Sequence, residues 1–424
     1  MHRSTPLRDW HTRMADFAAV VRRFMQARGL SLRALARSAN YDPSYLSKVL
    51  SGQKPVTPYL GACLDDALGA GGEIREAARE LAARPASPGR RSGKAPSRVV
   101  EALQAVDGDF PVPDVAIDGL ADLIPHYAQV VSVTTSATIY AELLGVRSFA
   151  GSLLGDRQSR RHADVVVTAG WLSALLAISA TDLGDHAAAL VWCTDTERRG
   201  NDAGHPELAG WAALTRALIA YYQGQAEHSA NFAAHGQHVS APGTVVHAKL
   251  AAQEMRSRAM LGDTAGMAEA RRKATAAAGA LSPGFPATGA FSIPLEEDPP
   301  YTATSLLLVS RYQEAAEATR RIIDGVYGGT PGEQPAKYAR TLLILALAQA
   351  GLGQADAAAA VGSGALDCGR PAWPTMVLAG KLDRRLAVSF PHAAVIGDYR
   401  ARYTEATAGL SRAEPHPAIA QGLP

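Results

Sequence analysis

The sequence predicts an all-α protein in two parts: an N-terminal group of five short helices, then a longer solenoid of helical hairpins. Three observations carry this. The chain is rich in alanine and poor in β-branched runs, a composition that favours helices. Apolar residues recur with the 3.6-residue helical period. One turn signature also repeats: Leu183-Gly184-Asp185, Gln223-Gly224-Gln225, Leu261-Gly262-Asp263 and Leu352-Gly353-Gln354. The 424 residues exceed one ordinary core, so two or three folding units are expected.

The N-terminal elements follow in order. Phe17, Val20, Val21 and Phe24 stand at i, i+3, i+4 and i+7, which predicts a helix over 16–28 ended by Gly29. Ser31 caps the next helix, whose buried stripe is Leu32, Leu35 and Ala36. Asn40–Tyr41 makes the turn. Asp42 then caps a helix with Pro43 at its first position, where the missing N–H costs nothing. That helix runs to about Leu50 and stops at Ser51–Gly52. Two more helices are predicted, over about 58–68 and 73–83, with Gly-Ala-Gly-Gly between them. Residues 1–83 form this first domain.

Residues 84–98 hold three prolines, two glycines, three serines and five positive charges, with no large apolar residue. Such a segment cannot pack a core and is expected to be a linker. Residues 99–424 form the second domain. Its first three turn glycines are 40 and 38 residues apart. The next gap is 91 residues, room for two units, and Ser310-Arg311-Tyr312 sits where the intervening turn belongs. Each turn follows an apolar helix (171–183, 211–223, 250–261, 338–352) and precedes an Ala-rich one. One hairpin cannot bury its own face, so this period predicts stacking. Residues 282–300 are an irregular Pro- and Gly-rich insertion, and Val130–Val133 is expected as a short strand.

Charge is divided unevenly. Residues 1–98 carry 17 Lys and Arg against 8 Asp and Glu, and the remainder 25 against 32. A basic head on an acidic body points to nucleic acid contact at one end. Cys63, Cys193 and Cys368 are scattered and make neither a disulfide framework nor a metal motif. The N-terminal text has no apolar signal core, and the longest apolar run, 342–348, is far short of a span. A cytoplasmic protein without membrane contact is expected.

Residues 30–54 carry the strongest functional signal. At 100° per residue from Ser44, residues Leu46, Val49 and Leu50 share one side, and Ser44, Ser47, Lys48 and Ser51 share the other, with Tyr45 on the flank. A helix with an apolar stripe behind and short polar residues in front fits deep in a DNA major groove. Lys48 can donate to guanine or phosphate, and the serines reach base edges. The N–H groups at the Pro43 end suit a phosphate, and Gln53 and Lys54 can hold the backbone. The order of residues over 16–68, with LRALA followed by YDPSYLSKVLSG, resembles the XRE family of phage-repressor-like helix-turn-helix domains. The resemblance implies that the helix from Pro43 is the recognition helix, that Ser44, Tyr45 and Lys48 contact bases, and that Arg33 contacts phosphate. Many members of that family have glutamine where this chain has Leu32.

The hairpins resemble tetratricopeptide repeats. Ala177, Ala189, Ala217, Ser229, Ala346 and Ala358 are small where that repeat needs close helix approach, whereas Met255 and Met267 depart from it. The positions that line the concave face of such repeats fall here on Trp171, Trp211, Lys249 and Arg340, with Arg256 and Tyr221 at two others. Aromatics beside cations suit an anionic or amphipathic ligand or a peptide C-terminus. A repressor-like head on such repeats resembles peptide-pheromone regulators of Gram-positive bacteria and, more closely, long regulators of actinomycetes. The peptide-sensing relatives place asparagines where this chain has Leu175, Thr215, Gln253 and Ile344. Of these, Gln253 and weakly Thr215 can hold a peptide backbone.

Other constellations are weaker. His228, His235, His238 and His247 lack a cysteine partner and are interrupted by Pro242–Gly243, so no metal is expected. The glycine-rich stretches lack a following Lys-Ser/Thr, and Glu296–Glu297–Asp298 reads as solvated loop rather than an acid–base pair. There is no nucleophile elbow or HExxH, and no enzyme activity or cofactor is expected. The reading is a transcription regulator that binds a double-stranded operator as a homodimer and senses a small molecule or peptide through its repeats. The alternatives are a tetratricopeptide scaffold with weak DNA binding, or an antitoxin- or phage-defence-type regulator holding a protein partner.

Overall fold

A computed structural model describes residues 6–39, 41, 43–51, 56, 58–82, 98–109, 114–155, 159–281, 284–286, 288–293, 298–332, 334–369, 372–393 and 395–413. Among these, every regular element is a helix, and residues fall into two compact units, Met1–Lys94 and Ala95–Pro424. The division lies within the 84–98 stretch, of which only residue 98 is described.

The first unit holds α1 (Pro6–Ala27), α2 (Leu32–Ser38), α3 (Pro43–Leu50), α4 (Pro58–Leu68) and α5 (Glu73–Ala82). Helix α1 begins ten residues before the expected start at residue 16. The core is built from the stripes that periodicity marks: Phe17, Val21, Leu35, Leu46, Val49, Leu60, Leu64, Leu68 and Ile74 are each at most 1% exposed. Buried Asp65 holds the Gly-rich turn. Its carboxylate accepts from the amides of Gly72 (2.9 Å) and Ile74 (3.0 Å), capping α5 from the preceding helix. An acid in an apolar helix followed by Gly71-Gly72 was the available signal for this cap.

The second unit holds α6 (Arg98–Asp109), α7 (Asp114–Val133), α8 (Ser136–Leu153), α9 (His162–Leu183), α10 (His186–Ala203), α11 (Pro206–Tyr222), α12 (Ala226–Val239), α13 (Val245–Met260), α14 (Thr264–Gly279), α15 (Thr302–Leu308), α16 (Tyr312–Gly325), α17 (Pro335–Gly351), α18 (Ala355–Leu366), α19 (Trp373–Ser389) and α20 (Val395–Ala413). It is a helical repeat-like array. Five turns close identically: the amide after the turn residue reaches back five positions, from Asp185, Gln225, Asp263, Arg311 and Gln354 to the carbonyls of Ala180, Ala220, Arg258, Leu306 and Gln349, at 2.9–3.0 Å. This helix stop needs a left-handed residue. Gly184, Gly224, Gly262 and Gly353 supply it, and Ser310 takes the same conformation at φ 61°. Ser310 is therefore the expected missing turn, made without glycine. The six small residues at the helix contacts are buried, and Ser229 Oγ donates to the Ala217 carbonyl at 2.8 Å.

Two expectations are corrected. Residues 130–133 form the last turn of α7 and not a strand, because Ile117, Leu120, Ile124, Tyr127 and Val131 continue one helical stripe through them. A short β-branched run does not override that packing. The run 342–348 is also not the segment nearest to a membrane span. Helix α9 is long and apolar enough to cross a membrane, but 72% of its apolar window is buried inside the unit, where neighbouring helices cover it.

The insertion after α14 folds back to α7. The Ala290 amide donates to the Ala128 carbonyl at 2.7 Å, and Gln129 Nε2 donates to the Thr288 carbonyl at 3.1 Å. Gly289 permits the approach: at φ 93°, a Cβ there would meet the Ala128 carbonyl oxygen at 2.8 Å. Phe291 stacks edge-on against both Trp171 and Trp211, with centroids 4.8 and 4.9 Å away.

Candidate DNA-reading helix and candidate ligand cavity

Helix α3 is held from three sides. Ser31 Oγ accepts from the Ala34 amide at 3.2 Å to start α2, and the Tyr41 amide closes the turn on the Ala36 carbonyl at 2.8 Å. Arg22 on α1 donates to the Leu50 carbonyl at 3.0 Å, capping the far end of α3. Sequence reading missed this arginine, whose partner lies 28 residues away. Leu46 and Val49 are fully buried and Leu50 nearly so, while Ser47, Lys48 and Ser51 are exposed. The expected two-faced helix is present. Arg33 is exposed in the first turn of α2. Pro43 opens α3 as expected. The side chains of Ser44 and Tyr45, and the whole of Asn40, Asp42, Gln53 and Lys54, lie outside the described residues.

The second unit holds a partly open cavity of about 280 Å³. Its walls come mostly from the first helix of each hairpin: α7, α9, α11, α13, α15 and α17. Of the six residues expected on this face, Trp211, Lys249, Arg256 and Arg340 line it. Trp171 and Tyr221 do not. Trp171 packs between Phe291 and His205, and Tyr221 is 1% exposed beneath Arg256. Both belong to the support of the wall, because the insertion covers one and the neighbouring helix covers the other. Met255 and Met267 are buried and pack with Leu308 and Val309.

The cavity gathers cations. Arg256, 3% exposed, lies between the rings of Tyr221 and Tyr301, at 3.9 and 4.0 Å, and its Nε has no hydrogen-bond partner among the described residues. Lys249 Nζ donates to the Ser292 carbonyl at 3.0 Å and sits 5.2 Å from the Trp211 ring. Lys337, not singled out from sequence, donates to the Gly289 carbonyl at 2.8 Å and to Ser292 Oγ at 3.0 Å. Arg340 completes the group. Burial lowers Lys249 to about 8, and the charges of Arg340 and Arg256 add to this. Burial likewise drives Lys337 well below the lysine range, reinforced by Lys249 and Arg340 and opposed by Asp182.

Two further expectations change. Gln253 is not free to hold a peptide. It is fully buried, donates to Ser229 Oγ at 2.9 Å, and accepts from Arg256. Thr215 Oγ1 donates to the Trp211 carbonyl of its own helix at 3.0 Å. Asp298, read as solvated loop, instead binds Arg271 at 2.6 Å and Arg321 at 2.9 Å and faces the cavity. Glu296 and Glu297 lie outside the described residues.

The lowered Lys249 has a stability consequence. In the unfolded chain it keeps its proton to about pH 10.5, so charging it in the fold is costly below about 8. That cost shrinks as pH rises from 8 toward 10.5. Lys249→Met is expected to melt higher than the wild type at pH 7, with the difference narrowing by pH 9.5. Thermal melts of the two proteins compared at each pH test this, and a constant difference would contradict it.

Residues 16–78 match the family model of a helix-turn-helix domain. A search of curated proteins returns no match for this chain. The matched segment spans α2, α3 and α4 and lies within the first compact unit, which is accordingly a helix-turn-helix domain of the kind that binds DNA.

Proposed function

We propose that this protein is a sequence-specific transcription regulator whose second unit responds to an effector and brings two copies together on DNA. The carrying observation is the exposed Ser47–Lys48–Ser51 face of α3, backed by buried Leu46, Val49 and Leu50, inside a segment that matches a helix-turn-helix domain. In this reading Lys48, Ser47 and the neighbouring Ser44 and Tyr45 read bases, and Arg33, Gln53 and Lys54 hold phosphates. Pro43 presents the helix N-terminus to the backbone. A homodimer would meet two half-sites about one helical turn apart, or a multiple of it. The second unit, read as tetratricopeptide-like repeats, supplies the effector cavity at Trp211, Lys249, Arg256 and Arg340, with Trp171 and Tyr221 supporting it. An effector regulates only if it binds one state of the dimer better than the other.

A gel shift with the protein's own promoter tests the operator. Lys48→Ala is expected to cost about 1–3 kcal/mol and relax base preference. Arg33→Ala is expected to weaken all sequences alike and reduce the salt slope by about one. Equal effects of the two on every sequence would contradict the assigned roles. Loose binding without sequence preference would favour a scaffold in which DNA contact only localises a complex.

A further inference from the structure

The cavity of the second unit shows what class of molecule it takes. Four cationic side chains line it: Lys249, Arg256, Lys337 and Arg340. The carboxylates facing them are Asp182 and Asp298, and Asp298 is already shared by Arg271 and Arg321. No ion pair joins any of the four cations to a described carboxylate. An ammonium has three N–H donors. Lys249 spends one on Ser292, and Lys337 spends two on Gly289 and Ser292. Arg256 holds Gln253 and leaves its buried Nε unmatched. Arg340 makes no hydrogen bond to a described residue. Charges and donors left without partners in such surroundings are costly, and an anion placed among them removes the cost.

The rest of the wall is mostly apolar, with threonines such as Thr181, Thr304 and Thr341 interspersed. Ile178, Leu214, Leu218, Ile293, Ile322 and Ile344 face the same space. At about 280 Å³ the cavity is at the small end of ligand pockets. The polar groups that would hold a peptide backbone, Gln253 and Thr215, are consumed inside the protein. We infer that the cavity binds a small organic anion, with its acidic group among Arg256, Arg340, Lys249 and Lys337 and its apolar body against the isoleucine and leucine wall. The inference rests on reading the second unit as a sensor and names the class of what it senses.

The test uses the full chain and two fluorescent probes of one shape. 8-Anilinonaphthalene-1-sulfonate carries the acid; N-phenyl-1-naphthylamine is the same diarylamine without it. The sulfonate is expected to saturate at one per chain and to bind at least about tenfold more tightly than the neutral dye. Arg340→Met should weaken the sulfonate by about tenfold and leave the neutral dye unchanged, with Arg340→Lys restoring part of the loss. Leu218→Trp, which fills the apolar end, should exclude both dyes. Circular dichroism checks that each variant is folded, and Lys337→Met replaces Arg340→Met if the latter is not. Equal affinity for the two dyes, or sulfonate binding that ignores the cation and the filling variants, overturns the inference. The promoter gel shift is read separately. Failure there with the dye results intact would remove the regulator reading and leave the ligand class standing.

Discussion

Ser47→Glu is expected to abolish operator binding while leaving the fold intact. Ser47 is exposed on α3, and the residues on either side of the helix stripe, Leu46 and Val49, fill the core of the first unit. The new carboxylate therefore costs the free protein little. On DNA it would face guanine acceptors and phosphates with its own negative charge, in a groove that also strips its water. A lost contact at Lys48 removes about 1–3 kcal/mol, but a misplaced charge adds repulsion and desolvation on top. A loss of about a hundredfold or more is expected, on the scale where 1.4 kcal/mol is tenfold. Gel shifts at fixed salt measure it, with circular dichroism to confirm unchanged helix content. Operator binding within a few-fold of wild type would show that α3 is not the element that enters the groove.

Asp195→Ala is expected to give the largest stability loss in the second unit. Arg147 on α8 is 8% exposed; its Nη2 donates to Asp195 Oδ2 at 2.6 Å and its Nε to Ser173 Oγ at 2.8 Å. Ser173 donates to the same carboxylate at 2.6 Å, and Arg199 pairs with the other oxygen at 3.3 Å. Three successive helices are tied at one point. Removing the carboxylate leaves Arg147 buried and unpaired, which typically costs about 3–5 kcal/mol. Arg147→Met combined with Asp195→Asn should recover most of it, since neither charge then remains. Burial alone would raise the Asp195 carboxyl; the hydrogen bonds from Ser173 and Arg147 and the nearby arginine charges outweigh it and hold the group below its usual range. Its contribution is thus full above the ordinary aspartate pKa and is lost as pH falls through the lower folded value. Urea melts at pH 7 and pH 3 should show the variant's deficit shrinking in acid. A deficit that does not depend on pH would point to lost packing instead.

What was legible in the sequence was local. The apolar stripe of α3, the Ser31 cap and the four turn glycines each depend on residues within about one helical turn, and each is found. So is the turn at Ser310, which the spacing located although the residue type did not announce it. The errors and omissions involve distance. The cap from Arg22 to Leu50 and the cap of α5 by Asp65 join separate helices. Tyr221 has a repeat position that faces inward, yet Arg256 lies over its ring. Lys337 could not be ranked among cavity residues without the insertion whose Gly289 carbonyl and Ser292 hydroxyl it holds. Gln253 reads as available because its partner Ser229 comes from the neighbouring helix α12.

The return of residues 288–293 to α7 bears on how the second unit folds. An array of hairpins touching only neighbours can fray from either end, each repeat melting nearly alone. Here Gln129 and Thr288, 159 positions apart, are hydrogen-bonded, and Lys337 on a later hairpin grips the same segment. That staple makes the early and late hairpins report on each other. The array should therefore unfold in one sharp transition, and its slowest folding step should be the closing of this long loop, which can be made only after the intervening hairpins have brought its ends within reach.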